Sequence, residues 1–219
     1  MRWVARRALA LKVANRVVVA ADDRSVLEAV SGTPVDAVLT DRRHQCGTDR
    51  VAEVAARSEY RGFDVVLSIQ ADQPFLPREA AVGALARVEG GDPLGTAGAP
   101  LQRGDLLDHH RVKVVVDGQG RALRFSRELP ASVAWSCGIR VLHHIGVYAF
   151  RCSLLHRWLK WTPAPGELSE GLEQLRAMHR GVAIGVGALE EPVRPAIDTE
   201  SDLAEAEAFV GTLTQGMVS

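Results

Sequence analysis

The chain has 219 residues, 24% of them charged and 47% hydrophobic, with a formal net charge of -1; this suits one α/β domain and gives no reason to expect nucleic-acid binding. Three cysteines, Cys46, Cys137 and Cys152, form no CxxC pair, which argues against a disulfide framework or a zinc ribbon. The apolar-rich N-terminus is interrupted by Arg2, Arg6, Arg7, Lys12 and Arg16, so neither a signal peptide nor a membrane span fits it, and a cytoplasmic setting is expected.

In chain order, residues 2–14 read as a helix and residues 17–20 as a buried strand that ends at Asp22 and Asp23. Residues 25–31 form a short helix and 37–40 a second strand. Residues 48–57 are helical, with Val51, Val54 and Ala55 on one face. A strand over 64–69 and a helix over 78–88 continue the alternation, which predicts a parallel, helix-covered sheet. The middle differs. Residues 94–101 and 112–116 read as strands, Asp117-Gly118-Gln119-Gly120 as a hairpin turn, and 121–125 as the returning strand. A strand over 141–150, a helix over 168–179, a strand over 182–186 and a closing helix over 201–212 complete the chain. The expected organisation is a single domain, residues 1–219. Folds of this type usually open on a strand near the sheet centre, whereas this chain opens on a helix. Loss of a central strand leaves its neighbours with unpaired N–H and C=O groups, so the chain is expected to start after that strand.

Five segments have the composition of functional sites. Asp64-Val-Val-Leu-Ser-Ile-Gln70-Ala71-Asp72-Gln73-Pro74 delivers Gln70 and Asp72 to the carboxyl end of a hydrophobic strand, where open α/β sheets bind ligands. A carboxylate there can hold Mg²⁺ against triphosphate oxygens; Asp and Pro also suit an ordinary strand-ending turn. Gly47-Thr48 opens a helix below nearby arginines, a seat for an anion or simply a capped loop. In Ile197-Asp198-Thr199-Glu200-Ser201-Asp202, Thr199 or Ser201 can cap the last helix; a functional reading requires Asp198 to meet Asp72 in space. Strand alternation puts His144, Gly146 and Tyr148 on one face and Ile145, Val147 and Ala149 on the other. The first face is wide enough to seat a sugar, or holds a structural His and Tyr. On the helix over 168–179, Leu168, Leu172 and Leu175 face the core, and Glu167, Glu170 and Gln174 form an opposite, solvated face.

Taken together and in this order, the segments resemble the 3-deoxy-manno-octulosonate cytidylyltransferase (CMP-Kdo synthetase) family. The matching runs are His44-Gln45-Cys46-Gly47-Thr48-Asp49-Arg50, Gln70-Ala71-Asp72-Gln73-Pro74, Phe125-Ser126-Arg127, and His144-Ile145-Gly146-Val147-Tyr148-Ala149-Phe150-Arg151. They continue with Trp161-Thr162-Pro163, Leu172-Glu173-Gln174-Leu175-Arg176 and Ile197-Asp198-Thr199-Glu200-Ser201-Asp202-Leu203. The resemblance implies a three-layer αβα nucleotide-diphospho-sugar transferase (Rossmann-like) fold, with a mixed, mostly parallel sheet and a small antiparallel portion. It implies transfer of CMP from CTP to Kdo, releasing pyrophosphate, for lipopolysaccharide biosynthesis, by a cytoplasmic homodimer without nucleic-acid or membrane partners. By the same resemblance, Asp72 and Asp198 hold Mg²⁺, with Gln70 alongside them. Arg127, His144, Tyr148, Glu173 and Gln174 shape the Kdo site, and Gln45, Gly47, Thr48 and Arg50 border the nucleotide. The family's opening strand and basic, glycine-containing phosphate loop have no counterpart in this sequence. Ala71, Gln73 and Cys46 stand where the family carries glycine, glutamate and serine. Two other readings follow from these departures: a catalytically defective paralogue acting as a binding or dimer-partner protein, and a cytidylyltransferase for another acidic sugar.

Overall fold

The computed structural model describes residues 1–102, 104–130, 139–194 and 196–215. Cys137, named above, lies outside the described residues. The chain opens with helix α1 (Arg2–Leu11), which buries Val4, Ala5 and Leu11 and stops where Lys12 turns left-handed at φ 53°. Strands β1 (Val18–Ala21) and β2 (Asp36–Leu39) pair in parallel. A parallel pair needs a crossover, supplied by α2 (Arg24–Ala29), whose first turn is capped by Asp23 accepting from the Ser25 N–H. Next come α3 (Gly47–Ala55), β3 (Val65–Ile69), α4 (Arg78–Glu89) and β4 (Leu94–Ala99). The expected hairpin is present as β5 (Lys113–Val116) and β6 (Ala122–Ser126). In its turn the Asp117 carboxylate accepts from the N–H groups of Gln119 and Arg121, and Gly120 takes the positive φ of 75°.

The molecule is organised around β7 (Arg140–Arg151), a strand of 12 residues. Its residues 143–150 pair with β4 along one edge. The other edge is divided: β5 pairs with residues 140–143 and β3 with residues 147–151. Strand β8 (Ile184–Ala188) adds in parallel to β4. In this six-stranded sheet, β3, β4, β5 and β8 run one way and β6 and β7 the other. Four of the six strands share a direction, as the expected mixed sheet requires, but because β7 is inserted among them the β4–β8 pairing is parallel and the other four pairings between the described strands are antiparallel.

Alternation on β7 separates two cores. Ile145, Val147 and Ala149 pack with Leu76, Ala80, Ala81, Ala84 and Val88 on the α4 side. Leu142, Tyr148 and Phe150 pack on the opposite side against Ala52, Ala55, Leu154, Leu155, Trp158 and Ala177. That second layer consists of α3 and three short helices, α5 (Cys152–Trp158), α6 (Pro165–Glu170) and α7 (Gln174–His179). The chain closes with α8 (Glu200–Gln215). Among the described residues, no helix is long and apolar enough to cross a membrane.

Two features depart from or refine the sequence reading. The single helix expected over 168–179 is two helices, broken at Gly171, which adopts φ 65°. The break resets the helical phase. Leu168 therefore points outward, 69% exposed, while Glu167 and Gln174, assigned to a solvated face, are buried. Second, β1 and β2 form a sheet separate from the six-stranded one, with α3 packed on both β1 and β3. Among the described residues, no strand pairs with the edge of β3 away from β7 or the edge of β1 away from β2. The apolar strand β3 is accordingly only half-buried at four of its five positions.

Helix α4 lies directly on β4 and β8, a contact that requires glycine. A Cβ on Gly95 would stand 2.1 Å from the Ala84 carbonyl oxygen, and one on Gly187 would stand 2.6 Å from the Gly83 backbone. Both obstacles are main chain, so the layers must separate to admit a methyl. Gly95→Ala is expected to destabilise the fold by about 1–3 kcal/mol or more through overpacking, read as a lower urea midpoint at unchanged m-value.

Candidate active site

The site gathers at the carboxyl end of β3, beside the gap where β3 and β5 divide the edge of β7. Just past β3, the Gln70 N–H donates to the Gly146 carbonyl and the chain turns through a Gln73 N–H to Gln70 carbonyl bond. Gly146 leaves room for this turn: a Cβ there would meet Gln73 Nε2 at 3.3 Å and Gln70 Cγ at 3.4 Å. Gly47 plays the same part from α3, since its Cβ would meet Gln70 Oε1 at 3.0 Å.

Glu173, at the entrance to α7, joins these pieces. Its carboxylate accepts from Gln70 Nε2 and from the Thr48 N–H, each at 2.9 Å. The start of α3, read from sequence as an anion seat, thus has a protein carboxylate bonded to the Thr48 amide, and Thr48 itself is 1% exposed. The neighbouring Gln174, 3% exposed, accepts at Oε1 from the Tyr148 hydroxyl at 3.0 Å. Its Nε2 is buried with no hydrogen-bond partner. Burial, with Glu173 and Asp72 nearby, pushes the Tyr148 phenol well above its usual range, keeping it a donor. His144 Nε2 lies 2.9 Å from Thr96 Oγ1, and its ring contacts those of Phe125 and Tyr148. Burial holds the His144 pKa down to about 3.

Asp72, like Gln174, carries an unsatisfied buried atom. Its Oδ1 is buried without a partner. Desolvation, then Asp198, then Glu173 raise its pKa against a backbone hydrogen bond that lowers it. The last loop reaches it through an Ile197 N–H to Asp72 carbonyl bond of 3.0 Å. The capping reading of the 197–203 segment holds, and the segment also runs beside Asp72. Asp198 comes near enough for its charge to act on Asp72, and Thr199 with Asp202 forms a reciprocal cap on α8: the Asp202 N–H donates to Thr199 Oγ1, and Asp202 Oδ2 accepts from the Thr199 N–H. Among the described residues, no group of three or more His, Cys, Asp or Glu side chains is placed to hold a metal. The candidate centre is this pair of carboxylates.

Gln70, Asp72, Asp198, Gly47, Thr48, Glu173, Gln174 and Tyr148 are thus linked, with His144 beside Tyr148. Three sequence candidates lie elsewhere. Arg127 Nε donates to the Glu170 carbonyl and its Nη1 to the His109 carbonyl. Arg50 bonds Asp22, Thr40 and the Asp41 carbonyl at the ends of β1 and β2. Gln45 is exposed on the loop entering α3.

Sequence reading assigned no role to Arg176, which holds this layer together. Only 2% exposed, it binds Glu167 through Nε at 2.8 Å and Nη2 at 2.5 Å, and Asp49 through Nη1 at 2.7 Å. Its guanidinium lies 4.8 Å from the Trp158 ring centroid, and the Trp158 indole N–H donates to the same Asp49. Burial opposes ionisation of Asp49, but the bonds from Trp158 and Arg176 outweigh it and leave its pKa lowered. A signal was present: on the helix expected over 168–179, Arg176 stands four residues after core-facing Leu172 and so falls on its apolar face.

Comparison with known proteins adds a relationship. The family model described as Cytidylyltransferase matches residues 1–184. The 3-deoxy-manno-octulosonate cytidylyltransferase of Gemmatimonas aurantiaca is 44% identical over 209 residues, covering 93% of this chain and 81% of that protein. The protein of the same name from Methylococcus capsulatus is 40% identical, covering 96% and 86%. The solved structure of CMP:2-keto-3-deoxy-manno-octonic acid synthetase complexed with CTP superposes with a TM-score of 0.83 at 30% identity, covering 96% of this chain and 87% of that one. A 4-diphosphocytidyl-2C-methyl-D-erythritol synthase from Anaerococcus prevotii, 11% identical with a TM-score of 0.61, shares the fold.

Arg176→Met would leave the buried Glu167 and half-buried Asp49 charges without a cation, and a loss of about 3–5 kcal/mol is expected on urea unfolding. The depressed Asp49 pKa makes its contribution one that is present above the unfolded carboxylate pKa and lost as pH falls through the folded value. The variant should therefore lose part of the wild type's acid-side dependence of stability, measured as melting temperature between pH 7 and the acid limb.

Proposed function

We propose a reaction for this chain from its kinship: it belongs to the cytidylyltransferase family. It transfers a cytidylyl group from CTP to 3-deoxy-manno-octulosonate (Kdo), releasing pyrophosphate. The observation that carries this reading is the approach of Asp198 to Asp72 beside a buried amide. Asp72 Oδ1 and Gln174 Nε2, both in that site, are buried without partners. Buried polar groups are rarely left so. One is an acceptor suited to a cation and the other a donor suited to a sugar oxygen or carboxylate.

Attack of a sugar hydroxyl on the α-phosphate of CTP needs in-line placement and neutralisation of charge more than covalent catalysis. The donor set fits magnesium, which commonly takes one or two carboxylates and completes its shell with water and substrate phosphates. Asp72 and Asp198 would hold it, and burial first, then the nearby Asp198 charge, raise the Asp72 pKa. When bound, the ion supplies positive charge to the phosphates. The chain's own groups do the positioning. The Tyr148 hydroxyl fixes the Gln174 amide by donating to Oε1, which leaves Nε2 as the group offered to ligand. Glu173 ties Gln70 to the start of α3, so the sugar-facing and nucleotide-facing elements move together. The reading includes a homodimer, supported by the exposure of Leu107 and of Leu123 on edge strand β6; light scattering at two concentrations tests it.

The decisive assay is pyrophosphate release with CTP, Kdo and Mg²⁺. Turnover is expected. Its absence, in a folded protein that still binds Kdo, would favour a binding role. Asp72→Asn should lower turnover by about a hundredfold or more, the scale on which a preorganised charged group at a transition state is felt. The same variant should raise the melting temperature of the metal-free protein at neutral pH. The sign follows from the raised pKa. Folded Asp72 binds its proton more tightly than unfolded, so ionised Asp72 opposes folding, and stability is gained as pH falls through the folded value. A variant that kept full turnover would remove Asp72 from the centre.

A further inference from the structure

We propose that Thr96 is a positioning residue that fixes His144 as the neutral tautomer protonated at Nε2, leaving Nδ1 as the ring's hydrogen-bond acceptor toward sugar. The proposal rests on the reading above that the His144–Tyr148 face receives the sugar.

The argument is a count of protons. Thr96 on β4 is completely buried. Its hydroxyl oxygen lies 2.8 Å from the Val147 carbonyl oxygen and 2.9 Å from His144 Nε2, with the Ile145 carbonyl farther away at 3.4 Å. A threonine hydroxyl has one proton and two lone pairs. If that proton went to the histidine, two oxygens would face each other at hydrogen-bond distance with nothing between them. The proton therefore goes to Val147, and Nε2–H donates to the hydroxyl. The geometry has a structural cause. Thr96 is paired with Tyr148 in register, but the register shifts between Thr96 and Ala97. The irregularity lets the side chain reach both the Val147 carbonyl and the His144 ring.

The ring's surroundings agree. It contacts Phe125 and Tyr148 at centroid distances of 5.0 and 5.4 Å, one ring apolar and one polar only at its hydroxyl. That environment keeps the imidazole uncharged, in line with its depressed pKa. An imidazole held this way accepts one hydrogen bond at Nδ1 from a hydroxyl. It rejects a group that only accepts.

Long-range ¹H–¹⁵N correlation of the folded protein tests the assignment without any activity. His144 should show a protonated, pyrrole-like Nε2 and an unprotonated Nδ1. The reverse pattern, or a protonated ring at neutral pH, overturns the proposal. Thr96→Val keeps the shape and removes the hydroxyl, so the two tautomers should become comparably populated and the Kdo KM should rise about five- to tenfold, the scale of one neutral hydrogen bond. The KM for CTP should change less than twofold. Thr96→Ser should restore both the tautomer and the KM. A Thr96→Val protein with an unchanged tautomer and Kdo KM overturns the role of Thr96. Should the chain not transfer cytidylyl groups at all, calorimetric titration with Kdo replaces KM. The nitrogen spectrum still decides the tautomer independently of that outcome.

Discussion

A guanidinium removed from water imposes strict terms on its surroundings, and much of the helical layer over the site can be read as meeting those of Arg176. It has two carboxylates to satisfy it, Glu167 bidentately and Asp49 singly, and the Trp158 ring to cover it. These partners come from α6, α3 and α5, while Arg176 belongs to α7. Four short helices, none with enough length to be stable alone, are thereby fixed relative to one another by a set of charges that cannot be left unpaired. Glu173 and Gln174 stand at the entrance to α7, so the same clamp sets where their side chains reach. The Thr48 amide and Gln70 then find their carboxylate, and Tyr148 finds its amide.

The sheet contributes the complementary constraint. One edge of β7 is too long for either β3 or β5 alone, and the two strands share it end to end. Between them the edge is bridged by single backbone bonds, Gln70 N–H to Gly146 and His144 N–H to Val112. An interruption of this kind opens space along a continuous strand, and glycine at position 146 keeps that space free of a side chain. His144 and Tyr148 border it on the same face. The His144–Tyr148 row is thus held firmly, built on a central strand with apolar residues packed behind it.

Much of this was legible before any coordinates. The βα alternation, the Asp117–Gly120 hairpin and the two faces of β7 follow from local rules of period and turn chemistry, and all three are present. The cap at Thr199 was legible for the same reason. The reading failed over 168–179, where a smooth leucine spacing concealed a break at Gly171. A left-handed glycine ends one helical phase and begins another, so positions on either side no longer share a face. The buried roles of Glu167 and Gln174 were lost with it. Arg176 was passed over because its partners lie 9 and 127 residues away in sequence.

By itself, the sequence determined the kinds of element, the alternation of faces and the motifs that carry the family relationship, because each depends on neighbours within a few residues. Tertiary structure alone decided which polar atoms remain unsatisfied. Asp198 comes near Asp72, and Gln174 turns its amide inward, only once distant segments are packed together. Whether a buried group is paired is a property of the whole fold, since its partner can come from any part of the chain.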